Sequence, residues 1–110
     1  MDISEEHQGA IHVLRPSGRI DNDTSLAFQD KLLAAVDAGP AVLVELSGVE
    51  FISSAGLAAL MTAAKQAKAK NARLAVAALR PIVQEIFAIS RFSRVVPVYG
   101  TAAEAVAGLQ

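Results

Sequence analysis

The sequence predicts an α/β fold in one domain spanning residues 1–110, with a mixed sheet of four to five strands and helices packed mainly on one face. Three observations predict it. Apolar runs fit for buried strands alternate with segments of helical spacing. Gly and Pro stand at the junctions between them. The apolar fraction of 53% over 110 residues supplies one core, and no linker, repeat or low-complexity stretch divides the chain. Successive strand–helix–strand units imply right-handed crossovers onto the sheet.

Each element has a local reason. Ile11, Val13 and Leu14 ahead of Pro16 and Gly18 predict a strand ended by a turn. Asp21, Asn22, Asp23, Thr24 and Ser25 offer capping side chains, and Asp21 and Asp23 are expected to cap the helix that follows. In that helix Leu26, Phe28, Leu32, Leu33 and Val36 recur at helical spacing before Gly39-Pro40 stops it. Ala41 to Leu46 is continuous and mostly apolar, as a central strand should be. Gly56 to Lys70 reads as a second helix. Its Leu57, Leu60, Met61 and Ala64 face the core, and Lys65, Gln66, Lys68 and Lys70 form a solvated face. Arg73 to Ala78 is a further strand, and Pro81 opens a helix with Ile82, Ile86, Phe87 and Ile89 as its apolar stripe. Val95 to Tyr99 reads as a short edge strand because of Pro97, and Gly100-Thr101 starts a last helix, Ala102 to Ala107.

Composition narrows function mainly by exclusion. Charged residues make up 19% and the net charge is -1, so there is no basic field for nucleic acid and no polybasic membrane patch. The absence of Cys removes disulfides, thiolate catalysis and Cys-bound metals, and fits a reducing compartment. Met1 to His7 is acidic and has no apolar stretch, unlike a signal peptide, and every apolar run is broken well before it could span a membrane. A soluble, cytoplasmic domain without cofactor or metal is expected.

No enzyme signature is present either. Ser53-Ser54-Ala55-Gly56 lacks the Gly-x-Ser-x-Gly elbow, no Asp/His pair follows in hydrolase order, and there is no phosphate-binding Gly-x-x-x-x-Gly-Lys loop. His7 and His12 have no catalytic spacing and read as surface or edge-strand residues; Glu45 and Glu50 read as solvated or paired at a strand end. The chain is expected not to be an enzyme.

The chemistry therefore concentrates where Ser53 and Ser54 stand between an apolar run and an amphipathic helix. A hydroxyl there can cap the helix, or it can carry a switchable negative charge at the helix's positive end. Residue types alone give the two serines equal claims and leave both roles open.

Three longer patterns carry a resemblance. They are Gly18-Arg19-Ile20-Asp21 followed by Thr24; Leu46-Ser47-Gly48-Val49 with Phe51-Ile52-Ser53-Ser54-Ala55-Gly56-Leu57; and Ala78-Leu79-Arg80-Pro81 onward through Phe92-Ser93-Arg94-Val95 to Val98-Tyr99. Together they cover nearly the whole chain in order, and the second is the most specific. The sequence resembles the STAS domain, and within it the single-domain anti-sigma factor antagonists of bacteria.

That resemblance implies a partner switch. An anti-sigma factor that is itself a serine kinase would phosphorylate Ser54, phosphorylation would release it, and a serine phosphatase would reset the system. Many members have Asp before the acceptor and Ser after it. Here Ser53 and Ala55 stand there, which leaves Ser53 as a rival acceptor and removes a carboxylate. The partner surface so implied comprises Asp21, Asp23, Thr24, Ser53, Ser54, Ala55, Gly56, Leu57 and Ala58. Gly56 and Ala55 are expected to keep the approach to Ser54 open. Ala58 departs from relatives that carry Arg or Gly. The alternative implied by the same family is a phosphorylation-independent binding subunit of a lipid-transport ATPase or a sensory complex.

Overall fold

A computed structural model describes residues 1–110. In chain order the elements are β1 (Asp2–Gln8), β2 (Ile11–Ile20), α1 (Ser25–Ala38), β3 (Ala41–Glu45), β4 (Val49–Ile52), α2 (Ser54–Ala69), β5 (Arg73–Ala77), α3 (Pro81–Ile89), β6 (Val98–Tyr99) and α4 (Ala102–Leu109). A single 3-10 turn, Phe92–Arg94, follows α3. The sheet is mixed and has six strands in the order β1-β2-β3-β5-β6, with β4 beside the far end of β2. Only β1 is antiparallel to its neighbour.

Side-chain alternation on the central strands builds two unequal cores. Val42 and Val44 point into the larger one, with Leu14, Leu74 and Val76, beneath α1, α2 and α3. Ala41 and Leu43 point the other way, into a smaller core closed by Ala105 and Leu109 of α4. Three helices thus share one face and α4 covers part of the other.

The sheet exceeds the four to five strands expected, and β1 and β4 account for the difference. β1 is polar and almost wholly exposed, so no alternation announces it. It is held by full pairing with β2 and by Glu5, which reaches His12 at 2.8 Å and Lys31 of α1 at 2.9 Å. β2 does not end at Pro16 as expected. It pairs with β3 through Leu14 and with β4 from Gly18 onward, so the N–H that Pro16 lacks falls where β2 changes neighbour. Gly18, at φ +97°, sits at a register shift within the β2–β4 pairing, between Gly18 and Arg19, a bulge conformation that glycine adopts without strain.

Two helix stripes also differ from expectation. In α1, Phe28, Leu32, Ala35 and Val36 are buried, Leu33 is half-buried, and Leu26, in the first turn, is 71% exposed. In α3, Val83 and Phe87 fill the core and Ile86 packs partly on it, whereas Ile82 and Ile89 face outward. On α2 the expected stripe holds: Leu60 is buried, and Leu57, Met61 and Ala64 pack partly buried on the same core.

The seating of α2 depends on Gly56. A Cβ there would stand 2.6 Å from Ile52 Cγ1, 2.7 Å from Ile20 Cγ2 and 3.2 Å from the Ile20 carbonyl oxygen. Both isoleucines are themselves fully buried and have little room to yield. Replacing a helical Gly by Ala gains up to about 1 kcal/mol of propensity, but overpacking a tight site costs about 1–3 kcal/mol. Gly56→Ala is therefore expected to lower stability by about 1–2 kcal/mol in urea unfolding, the clash outweighing the propensity gain.

Candidate functional site

The turns after β2 and β4 meet at the carboxyl end of the sheet, where open α/β sheets place their working loops. A backbone bond joins them: the Ser53 N–H donates to the Ile20 carbonyl at 2.8 Å. The β2–α1 turn is tied internally. Asp21 Oδ1 accepts from the Asp23 N–H at 3.0 Å, and Thr24 Oγ1 accepts from the Asp21 N–H at 2.9 Å while donating to the Arg19 carbonyl at 2.8 Å. These bonds fold the turn rather than cap the helix, which has no side-chain cap at its start. The capping expected of Asp21 and Asp23 is thus replaced by an Asx-type turn, with the Asp21 main-chain carbonyl accepting from the Ser25 N–H at 2.8 Å. The exposed Asp23 carboxylate is left facing solvent.

The two serines part company here. Ser53 is the N-cap of α2: its backbone is extended, and its Oγ accepts from the Gly56 N–H at 3.3 Å. Ser54 is the first helical residue. Its side chain is exposed and its hydroxyl makes no hydrogen bond within the chain. α2 accordingly starts at Ser54, two residues earlier than the sequence suggested, because Ser53 supplies the cap. Ala55 and Leu57 are half-buried and Ala58 is exposed. Gly56 is buried under the helix, so it shapes the loop from below and offers no surface to a partner; the openness above Ser54 does not come from it.

Beside Ser54 lies a hollow of about 320 Å³ whose apolar lining is Phe51, Ile52, Leu57, Ile86 and Ile89. Ile89 is 84% exposed, and the Arg19 guanidinium covers the Phe51 ring at 4.6 Å while lying 3.9 Å from Asp21 Oδ2. Sequence reading missed Phe51 and Ile89 as surface groups. The signal was present: α3 carries apolar residues on more than one face, and a short helix cannot bury all of them against one sheet.

The turn between β3 and β4 aims this end of the molecule. Glu45 Oε1 accepts from the Ser47 N–H at 2.8 Å, Glu45 Oε2 pairs with Arg15 at 3.2 Å, and Arg80 donates to the Ser47 carbonyl at 2.7 Å. Arg15 also pairs with Glu6. Partial burial pushes the Glu45 carboxyl up, but the bonds from Ser47 and the charge of Arg15 outweigh it and hold it below its ordinary 4.5. A depressed folded value means this contribution is complete above pH 4.5 and is lost as pH falls through the lower folded value. Thermal melts between pH 6 and about 3 should show a falling midpoint, with a shallower fall in Glu45→Gln; an unchanged slope in that variant would remove Glu45 from the account.

No group of three or more His, Asp or Glu side chains is placed to hold a metal ion, and no helix is long and apolar enough to cross a membrane.

With this geometry in place, comparisons with known proteins converge. Residues 3–97 match the family model described as "Mlab, STAS domain". A protein described as an anti-sigma factor antagonist, BtrV, from Bordetella bronchiseptica is 34% identical over 82 residues, covering 74% of this chain and 71% of its own. The crystal structure of an anti-sigma factor antagonist from Mycobacterium paratuberculosis superposes with a TM-score of 0.89 at 27% identity, over 98% of this chain and 92% of the other. SpoIIAA of Bacillus shares the fold at lower identity. Its unphosphorylated form gives a TM-score of 0.79 at 18% identity, over 96% of this chain and 93% of the other. Its phosphorylated form gives 0.75 at 17%, over 99% and 100%. The chain belongs to the STAS-domain family, and within it to the anti-sigma factor antagonists.

Proposed function

We propose that the protein is a phosphorylation-controlled partner switch. Its Ser54 end binds an anti-sigma factor that is also a serine kinase, and transfer of the ATP γ-phosphoryl group to Ser54 Oγ, with loss of the hydroxyl proton and release of ADP, ends the complex. A serine phosphatase hydrolyses the phosphoserine and restores binding. The partner surface comprises Ser54, Ala55, Leu57 and Ala58, with Ser53, Asp21, Asp23 and Thr24 at its border.

The observation that carries this reading is the division between the serines. The Ser53 hydroxyl is engaged in the helix cap, whereas the Ser54 hydroxyl is exposed and unbonded beside an apolar hollow. This favours Ser54 over its rival as acceptor. A phosphoserine there carries roughly -1.5 to -2 charges, which the free N–H groups and dipole at the start of α2 offset, so the domain keeps its fold. That SpoIIAA, of the same fold, is known in both unphosphorylated and phosphorylated forms agrees with such tolerance. A partner packed over Phe51, Leu57 and Ile89 is in a different position. It would have to bury the dianion against apolar side chains, and each 1.4 kcal/mol or so of that penalty lowers affinity about tenfold.

Membership of the STAS family leaves one second reading, in which the same end docks on a lipid-transport ATPase or a sensory complex without any phosphorylation. The two readings separate on Ser54.

Incubated with the cognate kinase and ATP, Ser54→Ala should remain unphosphorylated and stay bound. Ser54→Asp should bind at least tenfold more weakly with unchanged circular dichroism. Ser53→Ala should lose about 1 kcal/mol of stability with its cap and still be phosphorylated. Phosphate found on Ser53 by mass spectrometry, or equal binding by all three variants, would overturn the assignment.

A further inference from the structure

Beyond Leu57, α2 carries a second hollow that shares no lining residue with the one beside Ser54. Positions 54, 57, 61, 64 or 65, and 68 recur every three to four residues and lie along one side of α2, about 21 Å from Ser54 to Lys68. The far half of that side opens into this second hollow, of about 250 Å³, between α2 and the 3-10 turn after α3, lined by Met61, Ala64, Lys65, Lys68, Arg94 and Val95. The character changes along that side: the Ser54 half is apolar, whereas the far half has an apolar floor rimmed by three cations.

Those cations are unpaired. Lys31, Lys70, Arg15 and Arg19 each have a carboxylate within 4 Å, whereas Lys65, Lys68 and Arg94 have none, and no acidic residue lines the hollow. On a chain whose net charge is -1, three free cations around one apolar floor are a local reversal of sign. Val95, 38% exposed, and the half-buried Met61 supply a floor that can take an inserted apolar side chain, and Met adapts its shape readily.

We infer that this hollow is a second docking site, for an acidic amphipathic segment of a protein partner: one apolar side chain seated between Met61 and Val95, with carboxylates on Lys65, Lys68 and Arg94. Charge complementarity selects that occupant. Single-stranded nucleic acid needs aromatic platforms and a longer cationic track, and the hollow has neither. An anionic membrane is held by clusters of about four to eight cations on a surface that can lie flat, whereas these three surround a concavity. The site lies on the same helix as Ser54, shares no lining residue with the Ser54 hollow, and does not depend on Ser54 being phosphorylated.

The test uses the full chain, ¹⁵N-labelled, titrated with a synthetic helical peptide carrying Glu and Leu at i, i+3 and i+4 spacing, and with the same peptide carrying Lys for Glu. The acidic peptide should shift amide signals of residues 61–68 and of Arg94 and Val95, with affinity falling as salt rises. Lys65→Glu with Arg94→Glu should weaken it at least tenfold while circular dichroism stays native, and Lys65→Gln with Arg94→Gln should give a smaller loss. Ser54→Ala should bind the peptide like the parent, which separates this site from the switch. Equal binding of both peptides, signal changes elsewhere, or parental affinity in the charge-reversed protein would overturn the inference. So would co-sedimentation with phosphatidylserine vesicles in place of peptide binding, which would assign the hollow to lipid.

Discussion

The close seating of the α2 N-terminus on β2 and β4 is the constraint on which the rest of the working end depends. Gly56 lies against two fully buried isoleucines, Ile20 and Ile52, at distances no side chain would permit. Because the helix can approach so closely, the Ser53 N–H reaches the Ile20 carbonyl and the Ser53 hydroxyl reaches the Gly56 N–H. These contacts lock the turn, and a locked turn fixes which hydroxyl is spent and which is free. Moving the helix outward by the width of a methyl group would weaken the bond between the two turns before it disturbed the core. The absence of a side chain at one buried position thus sets the direction of an exposed one two residues away.

Electrostatics at this end follow from the same arrangement. Parallel strands deliver α1 and α2 with their N-termini at one edge, so two sets of unpaired N–H groups face the same solvent. The β2–α1 turn uses Asp21 and Thr24 to consume its own polar groups, leaving less there for a ligand to satisfy. At α2 only one cap is made, by a neutral serine, and the first turn holds no acidic residue. That vacancy for negative charge lies next to an apolar hollow. The combination is asymmetric: a negative charge placed there would be favoured by the helix behind it and opposed by any apolar surface packed in front of it.

Legibility in the sequence followed burial. The central strands β3 and β5, and the buried sides of α1 and α2, write their periodicity plainly because one face must leave water. β1 was silent since its residues, apart from Ile3, bury almost nothing; it exists through pairing with β2, a non-local cause that no window of sequence contains. β2 was cut short because Pro16 and Gly18 are turn residues by rule. Here they mark the point where one strand exchanges neighbours, a fact about β3 and β4 rather than about β2. The Ser53–Ser54 ambiguity was of the same kind. Both are good caps by type, and only the position of Ile20, more than thirty residues back in the chain, decides which one caps.

The outward isoleucines of α3 carry the argument a step further. Ile82 and Ile89 spend apolar area on solvent in a chain whose remaining large side chains are mostly inside. Stability alone gives no reason for this, since a polar residue at either place would cost the core nothing. Ile89, the most exposed of the chain's large apolar side chains, and the half-buried Leu57 flank Ser54 from two different elements, whereas Ile82 lies outside that hollow. A surface meant to be covered part of the time must be apolar enough to bind and small enough not to aggregate when bare. Near Ser54 the fold sets exposed apolar area and an unbonded hydroxyl within one hollow.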